Sequence, residues 1–212
     1  MARIAKHSRE QIRESAMAAA ERIIVEQGVE NLTVRRVAER IGCSVGTLYN
    51  NFANVADLIL NVDARTLDIL YDELSATTLT GQPDADLQGL LTSYLRFIDQ
   101  YADRWALLFK ARDPGAGDPP AWYRQRIDRL FGFMEQILAP LFAAGEDESR
   151  GRAVRLLWLA LHGVWSLHAG GQLGIVTREP MEDVARDMAD IFLAGLRAGP
   201  DYPGTPITTQ GT

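Results

Sequence analysis

Residues 33–52 read TVRRVAERIGCSVGTLYNNF, and the fold follows from this stretch. Thr33 has a side-chain oxygen suited to cap a helix that begins at Val34. Val34, Val37, Ala38 and Ile41 recur at i, i+3, i+4 and i+7, which places one apolar face on that helix. Gly42 stops it, because glycine takes the left-handed stop conformation without steric cost. Ser44 then caps a second helix starting at Val45. Leu48 and Phe52 point inward, leaving Val45, Thr47, Tyr49, Asn50 and Asn51 facing out. Small, hydroxyl and amide side chains on an exposed helix can hydrogen-bond base edges and phosphates in a major groove. Two short helices around a glycine turn are the arrangement of a helix-turn-helix.

Helical period continues on both sides. A first helix is expected from about Ser8 to Gln27, with Ile12, Ala16, Ala19, Ile23 and Ile24 as its buried face and Gly28 ending it. A long fourth helix runs from Val55 to about Ala76. Gly81 and Pro83 mark a loop over 77–84. A fifth helix carries Leu87, Leu90, Leu91, Tyr94, Leu95 and Ile98, and a short sixth spans about Arg104 to Arg112. The breaker DPGAGDPP at 113–120 precedes a seventh helix from Ala121 to about Ala144, whose last turn Pro140 loosens. An eighth spans about Glu148 to Gly170 and a ninth about Met181 to Ala198. No strand pattern and no internal repeat appear. The expectation is an all-α protein of about nine helices: a helix-turn-helix head over 1–54, a helical domain over 55–198, and a disordered Pro-, Gly- and Thr-rich tail over 199–212.

Composition sets the outer bounds. The chain has 212 residues and is 47% hydrophobic, enough for a sizeable core. Cys43 is the only cysteine, so a disulfide framework is excluded and a reducing cytoplasm is the expected location. The amino-terminal residues are too polar for a signal peptide. The longest apolar run, about Leu156 to Ala169, contains His162 and His168 and falls short of the ~20 residues a membrane span needs. The formal net charge of −6 is unevenly spread. Residues 1–55 hold eight Lys/Arg against six Asp/Glu, and the rest of the chain holds 14 against 22. A weakly basic head on an acidic body can still bind phosphates.

In order and spacing, Glu26-Gln27-Gly28, Leu32-Thr33-Val34-Arg35, Val37-Ala38, Ile41-Gly42 and Gly46-Thr47-Leu48-Tyr49, with Phe52 and Leu58, resemble the tetracycline-repressor family of bacterial regulators. The resemblance implies a homodimer that binds a double-stranded DNA operator. It also implies a carboxy-terminal domain for effector binding and dimerisation. Carried over by position, Arg35, Ser44, Val45, Gly46, Thr47, Tyr49, Asn50 and Asn51 fall at the DNA-contacting positions. Thr47 and Tyr49 would meet phosphates; Arg35 and Asn50 would meet bases. Arg3 and Lys6 read either as a flexible minor-groove arm or as a solvated tail. One position departs from the family. A lysine is frequent three residues after Phe52, and Val55 stands there, with Asn54 and the amino-terminal N–H groups of the fourth helix as candidate replacements. The stretch LWLALHGVW at 157–165 resembles a subgroup marked by a tryptophan followed by His-Gly.

The eighth helix is apolar nearly all round, so it needs covering on several sides. With the ninth helix (Val184, Met188, Ile191, Phe192, Leu196) it is the expected dimer interface, where Gly163 and Gly195 allow close approach. A pocket is expected among the fourth to eighth helices. Its candidate contacts are Tyr94, Phe97, Trp105, Phe109, Phe131, Trp158, His162 and Trp165, which together point to a small apolar or aromatic effector. His162 is either a structural histidine or a ligand contact.

Catalytic patterns are weaker. Gly42-Cys43-Ser44-Val45-Gly46 formally matches a hydrolase nucleophile elbow, but that turn requires a preceding strand and none is expected. Asn31-Leu32-Thr33 is a formal glycosylation sequon without meaning in the cytoplasm. The three histidines make no metal-ligand pair, and neither a metal nor a cofactor is expected. The competing class, a helical small-molecule-binding protein or enzyme without DNA binding, leaves 33–52 without a purpose.

Overall fold

The computed structural model describes residues 8–108 and 118–198. It contains helices α1 (Arg9–Gln27), α2 (Val34–Ile41), α3 (Val45–Tyr49), α4 (Val55–Ser75), α5 (Pro83–Leu108), α6 (Ala121–Leu138), α7 (Asp147–Ala169), α8 (Leu173–Val176) and α9 (Met181–Arg197), with no strand among the described residues. The all-α expectation holds. Phe109, Arg3, Lys6 and the tail from 199 lie outside the described residues.

The local signals act where the sequence puts them. Ser8 caps α1 in a reciprocal capping box with Gln11. Thr33 Oγ1 accepts the Arg36 N–H, Ser44 Oγ accepts the Thr47 N–H, and Gly42 ends α2 at φ 71°. Pro140 turns the end of α6 into a single 3-10 turn, Ala139–Leu141. The expected fifth and sixth helices both lie within α5, separated by a kink at Tyr101 (φ −124°, ψ 28°). No Pro or Gly stands between Ile98 and Arg104, so a single non-helical residue makes the break. The predicted seventh, eighth and ninth helices are therefore α6, α7 and α9. The four-residue α8 was not anticipated.

The packing forms two compact units. The first comprises the chain up to Leu70 together with Phe97–Arg126. Alanines 16, 19 and 20 let α2 approach α1 closely, and Ile23, Val37, Leu48, Phe52, Leu58 and Val62 complete a continuous core. Leu107, near the end of α5, enters the same core. The bidentate pair Arg40–Glu26 (2.8 and 2.9 Å) ties α2 to α1 across the surface. The second unit comprises Tyr71–Arg96 and the chain from Ile127 onward. There α7 packs on α9, and Ala153, Val154, Leu157, Leu161, Ala185, Ala189 and Leu193 are buried. Arg197 donates to both oxygens of Asp84, closing α9 against the start of α5. Asp86 is buried beside it. The Thr80 N–H holds its carboxyl below the usual range, and the Thr80 hydroxyl and Gly81 N–H add to the effect.

Candidate nucleic-acid interface and effector cavity

The helix-turn-helix presents a narrow exposed face. In α3, Leu48 is 1% exposed while Tyr49 is 55% and Val45 38% exposed, so the helix buries one side and offers the other. Gly46 is also exposed, and a Cβ there would meet only Ser44 Oγ at 3.7 Å. The packing of the described residues does not require glycine at this position. Ser44 Oγ and Thr47 Oγ1 are 2.8 Å apart, so the cap orients the Thr47 hydroxyl. Asn50 is exposed, with its carbonyl accepting from Arg9 Nη2 at 3.0 Å.

Two site residues behave differently from the expectation. Asn51 was read as facing out, but it is 8% exposed and its Nδ2 donates to the Thr47 carbonyl at 2.8 Å. Because α3 ends at Tyr49, the helical projection that put Asn51 outward no longer applies there. Arg35 is exposed as expected but pairs with Glu39 at 3.0 Å. An exposed pair of this kind is worth at most ~1 kcal/mol, so a phosphate or base competes readily for the guanidinium.

The first turn of α4 shows what stands in place of the missing lysine. Asn54 Oδ1 accepts the Asp57 N–H at 2.8 Å, and Asp57 Oδ2 accepts the Ala53 N–H at 2.9 Å. The Asn54 oxygen is thus used as a cap, and Asp57 adds negative charge to this end. Cys43 sits half-buried in the turn, and desolvation pushes its thiol up, away from reactivity.

In the second unit, Leu74, Leu87, Leu90, Tyr94, Met134, Ile137, Leu138, Val154, Leu157, Trp158 and Leu161 line an apolar cavity of about 20 Å³. Of the expected effector residues that are described, Tyr94 and Trp158 stand in this lining. Phe131 stacks edge-on against Trp158 at 5.7 Å. Phe97 and Trp105 pack on each other at 5.6 Å in the first unit and are core there. His162 is half-buried outside the cavity lining, with Nε2 3.3 Å from Ser166 Oγ and its ring 5.2 Å from that of Trp165. Burial holds its imidazole below the usual value. The aliphatic lining residues were not singled out in advance, because leucines at helical spacing look the same in a core and around a cavity.

Both α7 and α9 carry uncovered apolar positions. Leu156 and Leu159 are 41% and 63% exposed on α7, and Ile191 is 73% exposed on α9. Gly163 and Gly195 are exposed, and nothing lies within 4 Å of a Cβ built on either.

An all-α chain with an amino-terminal helix-turn-helix and a separate helical unit around an apolar cavity has the form of a ligand-responsive transcriptional regulator. Two family profiles match it: bacterial regulatory proteins of the tetR family over residues 16–62, and the tetracyclin repressor-like carboxy-terminal domain over residues 87–192. The chain belongs to the tetR family, and it is a DNA-binding transcriptional regulator. An uncharacterized HTH-type transcriptional regulator of Mycobacterium tuberculosis is 26% identical over 209 residues, covering 98% of this chain and 90% of that protein. Among solved structures, a protein of unknown function from Rhodococcus sp. RHA1 superposes with a TM-score of 0.71 at 22% identity, covering 92% of this chain and all of the other. A TetR-family transcriptional regulator from Streptomyces coelicolor does so with a TM-score of 0.64 at 16% identity, covering 87% and 99%. At these identities the two structures speak for the fold alone.

Proposed function

We propose that the chain is an effector-released repressor that binds its operator as a homodimer. The observation that carries this reading is the exposed face of α3, where Tyr49, Val45, Gly46 and Asn50 stand clear of the core. Thr47 and Tyr49 contact phosphates, Arg35 and Asn50 contact bases, and Ser44 presets the Thr47 hydroxyl. Asn51 shapes the end of the helix from inside. The division of labour follows the sequence: residues 1–54 read DNA and the helices beyond bind effector and partner.

The partner is a second copy. Leu156, Leu159, Ala160 and Gly163 form a stripe on α7, and Val184, Met188, Ile191 and Gly195 form one on α9. The open space at both glycines supports helix approach from outside the chain, since nothing among the described residues uses that space.

The effector is small, uncharged and apolar or aromatic. Among the described residues no charged side chain lines the cavity, and an ion buried against them would remain uncompensated. At about 20 Å³ the cavity holds little more than one water, so an effector selects an expanded state. α4 carries Leu58 and Val62 of the head core and Leu74 of the cavity lining, so a change of state around Leu74 biases α4. A coupling of ~1–3 kcal/mol gives a 5–150-fold loss of operator affinity.

The test is a mobility-shift titration on DNA from upstream of the protein's own gene, at several salt concentrations, with and without apolar and aromatic compounds. A saturable shift that random DNA competes poorly, and that one of these compounds reverses, is expected. A compound that binds in the cavity and leaves operator affinity unchanged contradicts the release mechanism.

A further inference from the structure

Two arginines of α1 hold the end of α3, and one of them, Arg13, also reaches α4. Arg13 lies on α1, one turn after Arg9, and is half-buried. Its Nη1 donates to the Asn51 carbonyl at 2.5 Å and its Nη2 to Asn61 Oδ1 at 2.6 Å. Its guanidinium stands 4.7 Å from the centroid of the Phe52 ring. Asn61, on α4, is held in turn, with Nδ2 donating to the Asp57 carbonyl at 2.7 Å, which aims Oδ1 at Arg13. Asp57 Oδ2 accepts the Ala53 N–H, so the turn between α3 and α4 belongs to the same network.

A five-residue helix does not hold its own orientation. The carbonyls of Asn50 and Asn51, which follow its last residue, need partners from elsewhere, and here they receive guanidinium donors from α1. A cation at a helix carboxy terminus also complements its dipole. The planar fork of Arg13 joins the end of α3 to α4 at a fixed spacing, which a point-charge lysine cannot reproduce.

We infer that Arg13 is a positioning residue for operator recognition: it sets the angle of α3 without touching DNA and, through Asn61, makes that angle follow α4. This rests on α3 being the helix that reads DNA.

The test compares the wild type with Arg13→Gln, Arg13→Lys and Asn61→Ala on a selected operator and on random DNA, across a salt series, with thermal melting to verify folding. Arg13→Gln is expected to lose about tenfold or more on the operator, within the range of a lost specific contact. Its affinity for random DNA should stay within about twofold and its salt slope within about half a unit, because no phosphate contact is removed. Arg13→Lys should fall between Arg13→Gln and the wild type. Asn61→Ala should lose about threefold on the operator alone, and it keeps the inference testable if Arg13→Gln fails to fold. Equal losses on both DNAs with a slope lowered by about 0.9 would make Arg13 a phosphate contact and overturn the inference. Unchanged operator affinity in the folded variants would also overturn it. If the wild type selects no operator, the DNA-reading assignment of α3 fails first, which is a separate result.

Discussion

Arg104 Nη2 lies 2.8 Å from Glu21 Oε2, joining the end of α5 to the middle of α1 within the first unit. The Glu21 side chain is 7% exposed, and Arg65 Nε on α4 approaches its other oxygen at 3.8 Å. Arg104 stands one turn after the bend at Tyr101, 5.6 Å over that ring. The bend thereby delivers a cation to a buried carboxylate. Removing the cation strands the charge, so Arg104→Met should cost roughly 1–3 kcal/mol. Glu21→Gln in the same background should recover part of the loss, because a neutral amide needs no counter-charge. Urea unfolding of the single and double variants measures both; additive losses would contradict the pairing.

Tyr49→Ala separates recognition from stability. The side chain is 55% exposed, so unfolding should shift by less than about 0.5 kcal/mol. Loss of a neutral phosphate contact should weaken binding to every DNA while the salt slope stays within about half a unit, because a phenol neutralises no phosphate. A melting point that falls with DNA affinity intact would make Tyr49 a packing residue instead.

The exposed stripes on α7 and α9 predict a dimer that one charge can break. Leu159→Glu or Ile191→Glu should convert the sedimenting species from twice the chain mass to the monomer without loss of helicity. A wild type that sediments as a monomer at micromolar concentration would remove the two-fold reading.

The helices of the head were legible from sequence because their signals are local. Ser8, Thr33, Ser44 and Gly42 act within one turn, and they sit where expected. Asn51 was not legible, because its outward placement assumed that α3 continued past Tyr49. Which aromatic residues of α5 line the cavity was not legible, for a tertiary reason. Tyr94 lines the cavity while Phe97 and Trp105 fill the first unit, and helical spacing cannot tell these surroundings apart. The break expected between the fifth and sixth helices corresponds to the kink at Tyr101.

Charge should discriminate effectors. An uncharged apolar compound at about 100 times its Kd should stabilise the protein by about 2.7 kcal/mol. A carboxylate analogue of the same size should bind far more weakly, because among the described residues no cation lines the cavity. Thermal shift with matched pairs of compounds decides this, and equal shifts within a pair would contradict the apolar-cavity assignment.

His162 predicts a mild acid sensitivity. Burial lowers its folded pKa from the ordinary 6.5, so the unfolded chain takes up the proton first. Its contribution to stability is fully present above that value and is lost as pH falls through the lower folded pKa. As pH falls below the ordinary 6.5, unfolding of the wild type should therefore lose stability faster than that of His162→Gln. Parallel curves would show that the ring is not protected from protonation.

The central claim is that α3 reads a DNA sequence as one half of a two-fold pair. Selection of binding sites from random double-stranded DNA tests it most directly, with the Tyr49→Ala/Asn50→Ala double variant run in parallel. The account predicts an enriched palindrome whose half-sites lie about one helical turn, ~10 base pairs, or a multiple of it apart, with the enrichment lost in the double variant. No enrichment, or the same motif enriched by both proteins, would contradict it.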